Sequence, residues 1–226
     1  MYIRPQKKRQ ASPVRVTILL ILIAAGLYLL IFRRDLLKPI QIGPTPTPTP
    51  TAADLMTEAD DLYREGLLDD AIAKYAEAAA LDPDDPMPLV WWSHLLTLRQ
   101  RTEEAIERAR EAIGVAPDSA EALAALCMAL DWDAVIGDMA KLQEALASCL
   151  SATDLDPGYA AAHAYLAEVY ADLGRSRDAV EMGRLAVTLN DSSPFAHRDL
   201  GYALEKQRSY QDAIGEYQRA SQLHPR

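Results

Sequence analysis

One short pattern recurs five times along this chain and constrains its fold more than any other feature. It consists of an alanine, a usually larger residue four positions later, a second alanine three positions after that and, in four of the five copies, a proline five positions further on. The first alanines lie 34, 40, 34 and 34 residues apart, at Ala71, Ala105, Ala145, Ala179 and Ala213. Self-similarity at such a period is typical of proteins built by stacking one structural unit on the next. The sequence therefore predicts a repeat array.

The residue types in the pattern indicate how the units pack. Alanine side chains allow two helices to approach closely, and the larger residue between them fills the space to the neighbouring pair of helices. The proline near the end of four of the copies stops the second helix, as in the sequence Leu81, Asp82, Pro83. No unit of this kind buries its apolar face alone, so the core is expected to form by stacking.

The segments upstream of each copy complete a resemblance to the tetratricopeptide repeat, a helix-turn-helix unit of about 34 residues. Its small residue, its large apolar pair and its turn glycine correspond to Ala59, Leu62, Tyr63 and Gly66 in the first copy. Comparable residues recur downstream: Trp92, Ser93 and Leu96; Leu126, Cys127 and Leu130; Leu166, Ala167, Tyr170 and Gly174; Leu200, Gly201, Leu204 and Tyr210. The resemblance implies an all-α fold, a right-handed α-solenoid of five repeats at residues 52–85, 86–119, 120–159, 160–193 and 194–226.

The third repeat departs from the pattern by six extra residues, placed around residues 131–138. They are expected to lengthen the turn between its helices or to extend both helices. Trp132 within this stretch is interpreted either as a lid on its own repeat or as an exposed contact for a partner. Cys127 and Cys149 both fall on small or core positions of this repeat. Two buried thiols are the favoured interpretation, and a disulfide between them is the alternative.

An apolar run without charge, residues 16–32, follows a basic tail at residues 1–15. Seventeen helical residues reach about 25 Å, so the run predicts a transmembrane helix acting as a signal-anchor, with a cleavable signal peptide as the alternative. Five basic residues before the run and three after it favour a cytoplasmic N-terminus. Residues 33–51 are expected to form a juxtamembrane segment and a Pro-Thr stalk, in which GPTPTPTPT at residues 43–51 is extended. The expected localisation is a single-pass membrane protein with an extracytoplasmic repeat domain.

The charge of the chain is unevenly distributed. Of the formal net charge of -10, residues 1–43 contribute eight basic residues and one acidic residue, or +7, which leaves -17 for the remainder. A domain with that balance repels phosphate backbones, so nucleic acid is not expected as a partner, whereas a protein or peptide with basic residues is. The alternative interpretation is that the acidic charge only keeps a helical domain soluble.

No motif of an enzyme is found in the sequence. It contains no phosphate-binding glycine loop, no H-E-x-x-H, no G-x-S-x-G and no spaced group of Cys and His, so neither a catalytic residue nor a metal or other cofactor is expected. The four histidines fall in different repeats without a shared spacing. The sequence therefore favours binding over catalysis.

The family resemblance implies that the first helix of each repeat lines a concave groove, through one face at spacings of three, four and three. Met56 and Asp60 stand where family members carry a Lys and Asn clamp for a C-terminal carboxylate, so that type of recognition is not expected. The predicted acidic and apolar groove comprises Met56, Asp60, Tyr63, Met87, Val90, His94, Glu121, Met128, Asp131, Trp132, Glu168, Asp172, Phe195, Arg198, Tyr202 and Glu205.

The function expected from this groove is that of a membrane-anchored scaffold for protein-protein interactions. Two alternatives stay open: an accessory subunit of a membrane translocation or envelope-assembly complex, and a structural element that self-associates. The sequence ends at Arg226, one residue after the last proline, so we expect the fifth repeat to lack a capping helix and to be a possible self-association surface.

Overall fold

The computed structural model describes residues 12–32, 50–134 and 138–223. The chain divides into two compact units, Met1–Pro48 and Thr49–Arg226. The described part of the first unit contains one helix, α1 (Pro13–Phe32). Residues 1–11 of the predicted basic tail and residues 33–49 of the predicted juxtamembrane segment and stalk lie outside the described residues.

Across the described residues, no helix has both the length and the apolar character needed to cross a membrane. The predicted transmembrane anchor at residues 16–32, and with it the localisation as a single-pass membrane protein with an extracytoplasmic repeat domain, is contradicted by this finding. Its physical basis is length: α1 carries Arg15 in its first turn, which leaves 17 uncharged residues. Such a stretch is about 25 Å long, against about 30 Å for the hydrocarbon core of a bilayer.

The described residues of the second unit form ten helices and no strand. They alternate between a first and a second helix of each repeat: α2 (Ala52–Arg64), α3 (Leu68–Leu81), α4 (Met87–Leu98), α5 (Thr102–Val115), α6 (Ala120–Asp133), α7 (Met139–Leu155), α8 (Ala160–Asp172), α9 (Ser176–Leu189), α10 (Pro194–Lys206) and α11 (Tyr210–Leu223). Each helix packs against the next one in the chain from α2 to α11. The result is an all-helical, solenoid-like stack, as predicted.

The turn between the two helices of a repeat follows one backbone rule. Two residues after the first helix ends, φ is positive at Gly66 and Gly174, but also at Gln100 and Arg208. The backbone N–H of the residue that follows donates a hydrogen bond to a carbonyl in the last turn of the first helix, for example from Leu67 to Leu62 at 2.9 Å. This bonding pattern satisfies carbonyls that the helix end leaves unpaired, and it needs a left-handed residue at its centre. The turn is therefore fixed by main-chain bonding even where glycine is absent.

The alanines that define the repeat pattern form the core between the helices. The first alanine of each copy is at most 3% exposed, and Tyr75 and Cys149 at the larger position are fully buried. At the same position of the fourth repeat, a side chain on Gly183 would come within 3.0 Å of the Cα atom of Leu200. Close helix approach thus explains why these positions are small.

The six extra residues of the third repeat are distributed over both helices and the turn. In the third repeat, α6 has 14 residues, the turn has five and α7 has 17. In the first repeat, α2 has 13 residues, the turn has three and α3 has 14. Cys127 of α6 and Cys149 of α7 form a disulfide, with their Cα atoms 5.3 Å apart. The favoured interpretation of two free buried thiols is therefore wrong, and the alternative is correct. The bond fastens the two helices that the insertion lengthens.

Candidate functional site

The first helices of repeats two to five form a continuous layer. Helix α4 contacts α6, α6 contacts α8, and α8 contacts α10. We call the surface of this layer the first-helix face. Eleven of the sixteen predicted groove residues gather there in two groups, one near the beginnings of these helices and one near their ends.

The first group lines a pocket of about 220 Å³, here called the His94 pocket. The predicted groove residues in its wall are Val90 and His94 of α4, Glu121 of α6 and Phe195 of α10. The pocket also includes Trp91, Tyr159 and Tyr165, which the groove prediction missed. The lining is therefore mainly aromatic and comes from three repeats and the start of a fourth.

His94 lies at the centre of these rings. Its ring centroid is 5.0 Å from that of Phe195 and 5.7 Å from that of Trp91, both in edge-to-face arrangements. Such arrangements are favoured by the quadrupoles of aromatic rings. His94 is 6% exposed, and burial, together with the nearby charge of Arg198, lowers its pKa to about 4. The imidazole is therefore neutral at physiological pH.

The direction of one hydrogen bond determines which ring nitrogen of His94 carries the proton. The hydroxyl of Tyr165 lies 3.1 Å from Nδ1 of His94. Because a buried hydroxyl donor is costly to leave unpaired, we assign the bond as donated by Tyr165 to Nδ1. The proton of the neutral ring is then on Nε2, which is buried and has no hydrogen-bond partner among the described residues.

The second group surrounds Arg198 and is called the Arg198 cluster; it comprises Asp131, Glu168, Arg198 and Asp199. Arg198 donates to Asp199 at 2.6 Å and to Glu168 at 3.1 Å. Its guanidinium also lies 5.3 Å from the ring centroids of Trp132 and Phe195. Phe195 thus belongs to the His94 pocket and contacts the cluster as well.

The three carboxyl groups of the cluster share one cation. Burial raises the pKa of Asp131 to about 9, with further increases from Glu168, Asp172 and Asp199. Burial also raises the pKa of Asp199 to about 7, against the opposing effect of Arg198. The pKa of Glu168 is raised by burial as well. One oxygen of Asp131 and one of Asp199 are buried without a partner among the described residues. The cluster is therefore electrostatically undercompensated when all of its carboxyl groups are ionised.

An exposed rim of carboxylates adjoins the cluster at the ends of α8 and α10. Asp172 accepts hydrogen bonds from Tyr202 and, at 3.2 Å, from Lys206, and Glu205 accepts from Tyr217 at 2.9 Å. Carboxylates are disfavoured at the negative C-terminal end of a helix dipole. Asp172 and Glu205 make the rim acidic, although negative charges at these helix ends do not stabilise the helices.

The remaining predicted groove residues are placed differently. Met128 is 1% exposed and belongs to the core, so it is not available to a partner. Asp60 accepts a hydrogen bond from Tyr75 at 2.5 Å. Met56 and Tyr63 are half-buried against the core, and Met87 is half-buried at the first turn of α4.

Two features of the sequence could have indicated the missed residues. Asp199 directly follows the only basic residue among the predicted groove positions, Arg198. Trp91 is adjacent to Trp92, but only Trp92 was assigned a role in the repeat pattern. Tyr159 and Tyr165 lie outside the assumed three, four and three spacing, so that spacing excluded them.

Comparison with known proteins identifies the repeats. A model of the tetratricopeptide repeat family matches residues 137–195 and 186–226, so tetratricopeptide repeats are present in this part of the chain, as predicted. The structure of TTC0263, described as a thermophilic tetratricopeptide repeat protein of Thermus thermophilus, has a TM-score of 0.67 and 22% identity. The alignment covers 78% of this chain and 93% of that chain. This likeness shows the fold.

Two other solved structures are similar at a lower level. MamA from Desulfovibrio magneticus has 18% identity and a TM-score of 0.48, covering 78% of this chain and 97% of that one. YrrB, described as a tetratricopeptide repeat protein with an unusual peptide-binding site, has 16% identity and a TM-score of 0.44, with coverage of 77% and 87%. No curated protein matches the chain.

Proposed function

We propose that this chain is a scaffold for protein-protein interactions and that its first-helix face binds a segment of a partner protein. The observation that carries this proposal is the His94 pocket, a recess with mainly aromatic walls on that face. Its volume of about 220 Å³ is below the range of about 300–1,000 Å³ typical of small-molecule sites. A pocket of this size suits one side chain of a polypeptide.

The charge of the adjoining surface favours a partner segment with a basic residue. The Arg198 cluster and the rim together hold five carboxyl groups, from Asp131, Glu168, Asp172, Asp199 and Glu205, against the two cations Arg198 and Lys206. Even with Asp131 and Asp199 protonated, the three remaining carboxylates outnumber the two cations. A Lys or Arg near the rim would therefore gain electrostatic energy on binding.

The distance between the two groups sets the length of the bound segment. Glu121 of the pocket and Asp131 of the cluster are ten residues apart on α6, or about 15 Å along the helix, whereas Phe195 of the pocket lies directly beside the cluster. An extended chain covers the larger distance in about five residues. We therefore expect an apolar anchor and a basic residue at most about five positions apart in an extended ligand.

The test begins by selecting ligands from a random peptide library on the full chain and measuring their affinities. Asp172 and Glu205 are then replaced together by Lys, because both lie on the rim and neither is part of the core. The matched control replaces Glu181 and Asp212, which are exposed on α9 and α11, so that the net charge changes equally.

We expect the selected peptides to be enriched in Lys and Arg. The rim variant should bind them about tenfold more weakly, with a smaller dependence on salt, whereas the control variant should bind as the unmodified chain does. Peptides without basic enrichment, or equal losses in both variants, would contradict a basic segment on this face.

A second candidate function is self-association through the last repeat. It is favoured by two apolar side chains on α11, Tyr210 and Ile214, which are 57% and 49% exposed. Sedimentation velocity over a range of concentrations would detect a dimer. If the dimer forms through this surface, Ile214→Glu should abolish it, whereas a dimer that persists in this variant would exclude α11 as the contact.

A further inference from the structure

The His94 pocket has the dimensions of a site for one aromatic ring. A cavity of about 150 Å³ is sufficient for benzene in a protein core, and this pocket has about 220 Å³. Trp91, Tyr165 and Phe195 supply ring faces and edges to its wall. Aromatic pairs with centroids about 4.5–7 Å apart gain stabilisation beyond the burial of apolar area. The walls therefore favour a ring over an aliphatic side chain.

One polar atom in this wall has no partner in the described part of the chain. His94 is only 6% exposed, and its Nε2 makes no hydrogen bond there. With Tyr165 donating to Nδ1, Nε2 carries the proton and offers a donor. A buried donor without an acceptor costs free energy, so a ligand that supplies an oxygen at this point removes that cost.

The charges around the pocket select against ionised ligands of either sign. Glu121 lines it and opposes a carboxylate. Arg198 contacts the ring of Phe195 from the neighbouring cluster and destabilises positive charge at His94, so a cation inside the pocket is opposed as well. A neutral ring with an oxygen acceptor satisfies both conditions.

We propose that the His94 pocket binds a tyrosine side chain of the partner segment, with its phenol oxygen accepting a hydrogen bond from Nε2 of His94. This proposal rests on the proposed function, because it names the anchor residue of the bound segment. The basic residue of the segment binds separately, at the acidic rim.

The experiment uses three small probes instead of a partner, so that its outcome does not depend on the proposed function. These are p-cresol, toluene and n-butylammonium, which represent the side chains of tyrosine, phenylalanine and lysine. Each is titrated into the full chain while NMR signals of the Trp91 indole and the His94 imidazole nitrogens are followed. We expect p-cresol to shift both signals and to bind about fivefold more tightly than toluene, as one net hydrogen bond allows.

Two variants test the location and the chemistry. Ala161→Leu fills the pocket from α8 and should abolish the p-cresol shifts, whereas the matched Ala147→Leu on the exposed side of α7 should leave them unchanged. His94→Phe keeps a ring but removes the donor, and should make p-cresol and toluene bind equally. Circular dichroism confirms that each variant is folded. If Ala161→Leu is unfolded, Phe195→Leu, which removes one wall of the pocket, should weaken p-cresol binding severalfold.

Three results would overturn the proposal. They are the absence of p-cresol shifts at Trp91 and His94, toluene binding as tightly as p-cresol in the unmodified chain, and tighter binding of n-butylammonium. If p-cresol binds as expected but the rim variant binds selected peptides normally, the pocket assignment stands and the basic-segment proposal fails.

Discussion

The hydroxyl of Tyr165 lies 3.1 Å from Nδ1 of His94, although the two residues are 71 positions apart in the sequence. The bond joins α4 of the second repeat to α8 of the fourth and passes over the third repeat, which carries the six extra residues. Helix α6 of the third repeat lies between them and contacts both. The insertion lengthens this helix by one residue relative to α2, and the other five extra residues are in the turn and in α7.

This hydrogen bond can be tested with Tyr165→Phe. The change removes the hydroxyl and leaves a buried ring nitrogen of His94 unpaired, so the free energy of unfolding should fall by about 1–3 kcal/mol. Urea denaturation measures the difference. Tyr210→Phe, in which the lost hydroxyl belongs to a side chain that is 57% exposed, is the control and should have little effect. Equal stabilities of the two variants would show that the Tyr165 bond contributes nothing.

The disulfide between Cys127 and Cys149 closes a loop with a sequence separation of 22 residues. Cross-linking a loop of this size reduces the entropy of the unfolded chain and stabilises the fold by about 3 kcal/mol. The double replacement of both cysteines by Ala should lower the free energy of unfolding by about this amount. Adding a reductant should destabilise the unmodified chain and leave the double variant unchanged. If reduction has no effect on the unmodified chain, the disulfide does not stabilise it.

The buried carboxyl group of Asp131 predicts a dependence of stability on pH. Its pKa is about 9 in the folded chain, against an ordinary value of 3.8 that applies to the unfolded chain. Between pH 3.8 and about pH 9 the folded state therefore keeps a proton that the unfolded state has released. The free energy of unfolding should therefore fall as pH rises through this interval. The size of this pH dependence is set by the charged groups that face Asp131, namely Glu168, Asp172, Asp199 and Arg198.

Asp131→Asn removes this titration while keeping a similar shape. The variant should be more stable than the unmodified chain at alkaline pH, and its advantage should grow by up to about 1.4 kcal/mol per pH unit between the two pKa values. Denaturation curves at several pH values measure the difference. Asp154→Asn, at an exposed position of α7, is the control. A constant difference between Asp131→Asn and the unmodified chain across this range would contradict the account.

The helical stack was predictable from the sequence because it depends on local spacing. The alanines from Ala71 to Ala213 mark positions where helices approach closely, and these residues are buried. The pocket was only partly predictable, because its walls depend on how each first helix is rotated relative to its neighbours. Tyr165 lines the pocket from α8 at a position outside the three, four and three spacing assumed for its repeat.

Two other features depend on distances that the sequence does not contain. The disulfide requires the Cα atoms of Cys127 and Cys149 to lie 5.3 Å apart, which follows from the packing of α6 on α7. The Arg198 cluster draws one acidic residue from each of α6, α8 and α10, so it exists only after three repeats have stacked. The predicted membrane span is the clearest error, since 17 uncharged residues reach only about 25 Å, against a hydrocarbon core of about 30 Å.

Close packing between the fourth and fifth repeats can be tested at Gly183. An added Cβ atom would meet the Cα atom of Leu200 at 3.0 Å, and because this is main chain, α9 and α10 would have to separate. Gly183→Ala should therefore cost about 1–3 kcal/mol of unfolding free energy. Gly215→Ala, where an added Cβ meets no heavy atom within 4 Å, should instead stabilise α11 by up to about 1 kcal/mol. Denaturation of both variants measures the contrast, and destabilisation by Gly215→Ala would contradict it.

The central claim, that the first-helix face binds a partner segment, is tested most directly by hydrogen exchange of the full chain with and without a peptide selected on it. Binding should slow amide exchange in α4, α6, α8 and α10, with the largest effect around His94 and Phe195, and should leave the exposed sides of α5, α7 and α9 unchanged. Protection confined to those second helices or to α11 would contradict the claim, because the peptide would then occupy a surface without the pocket.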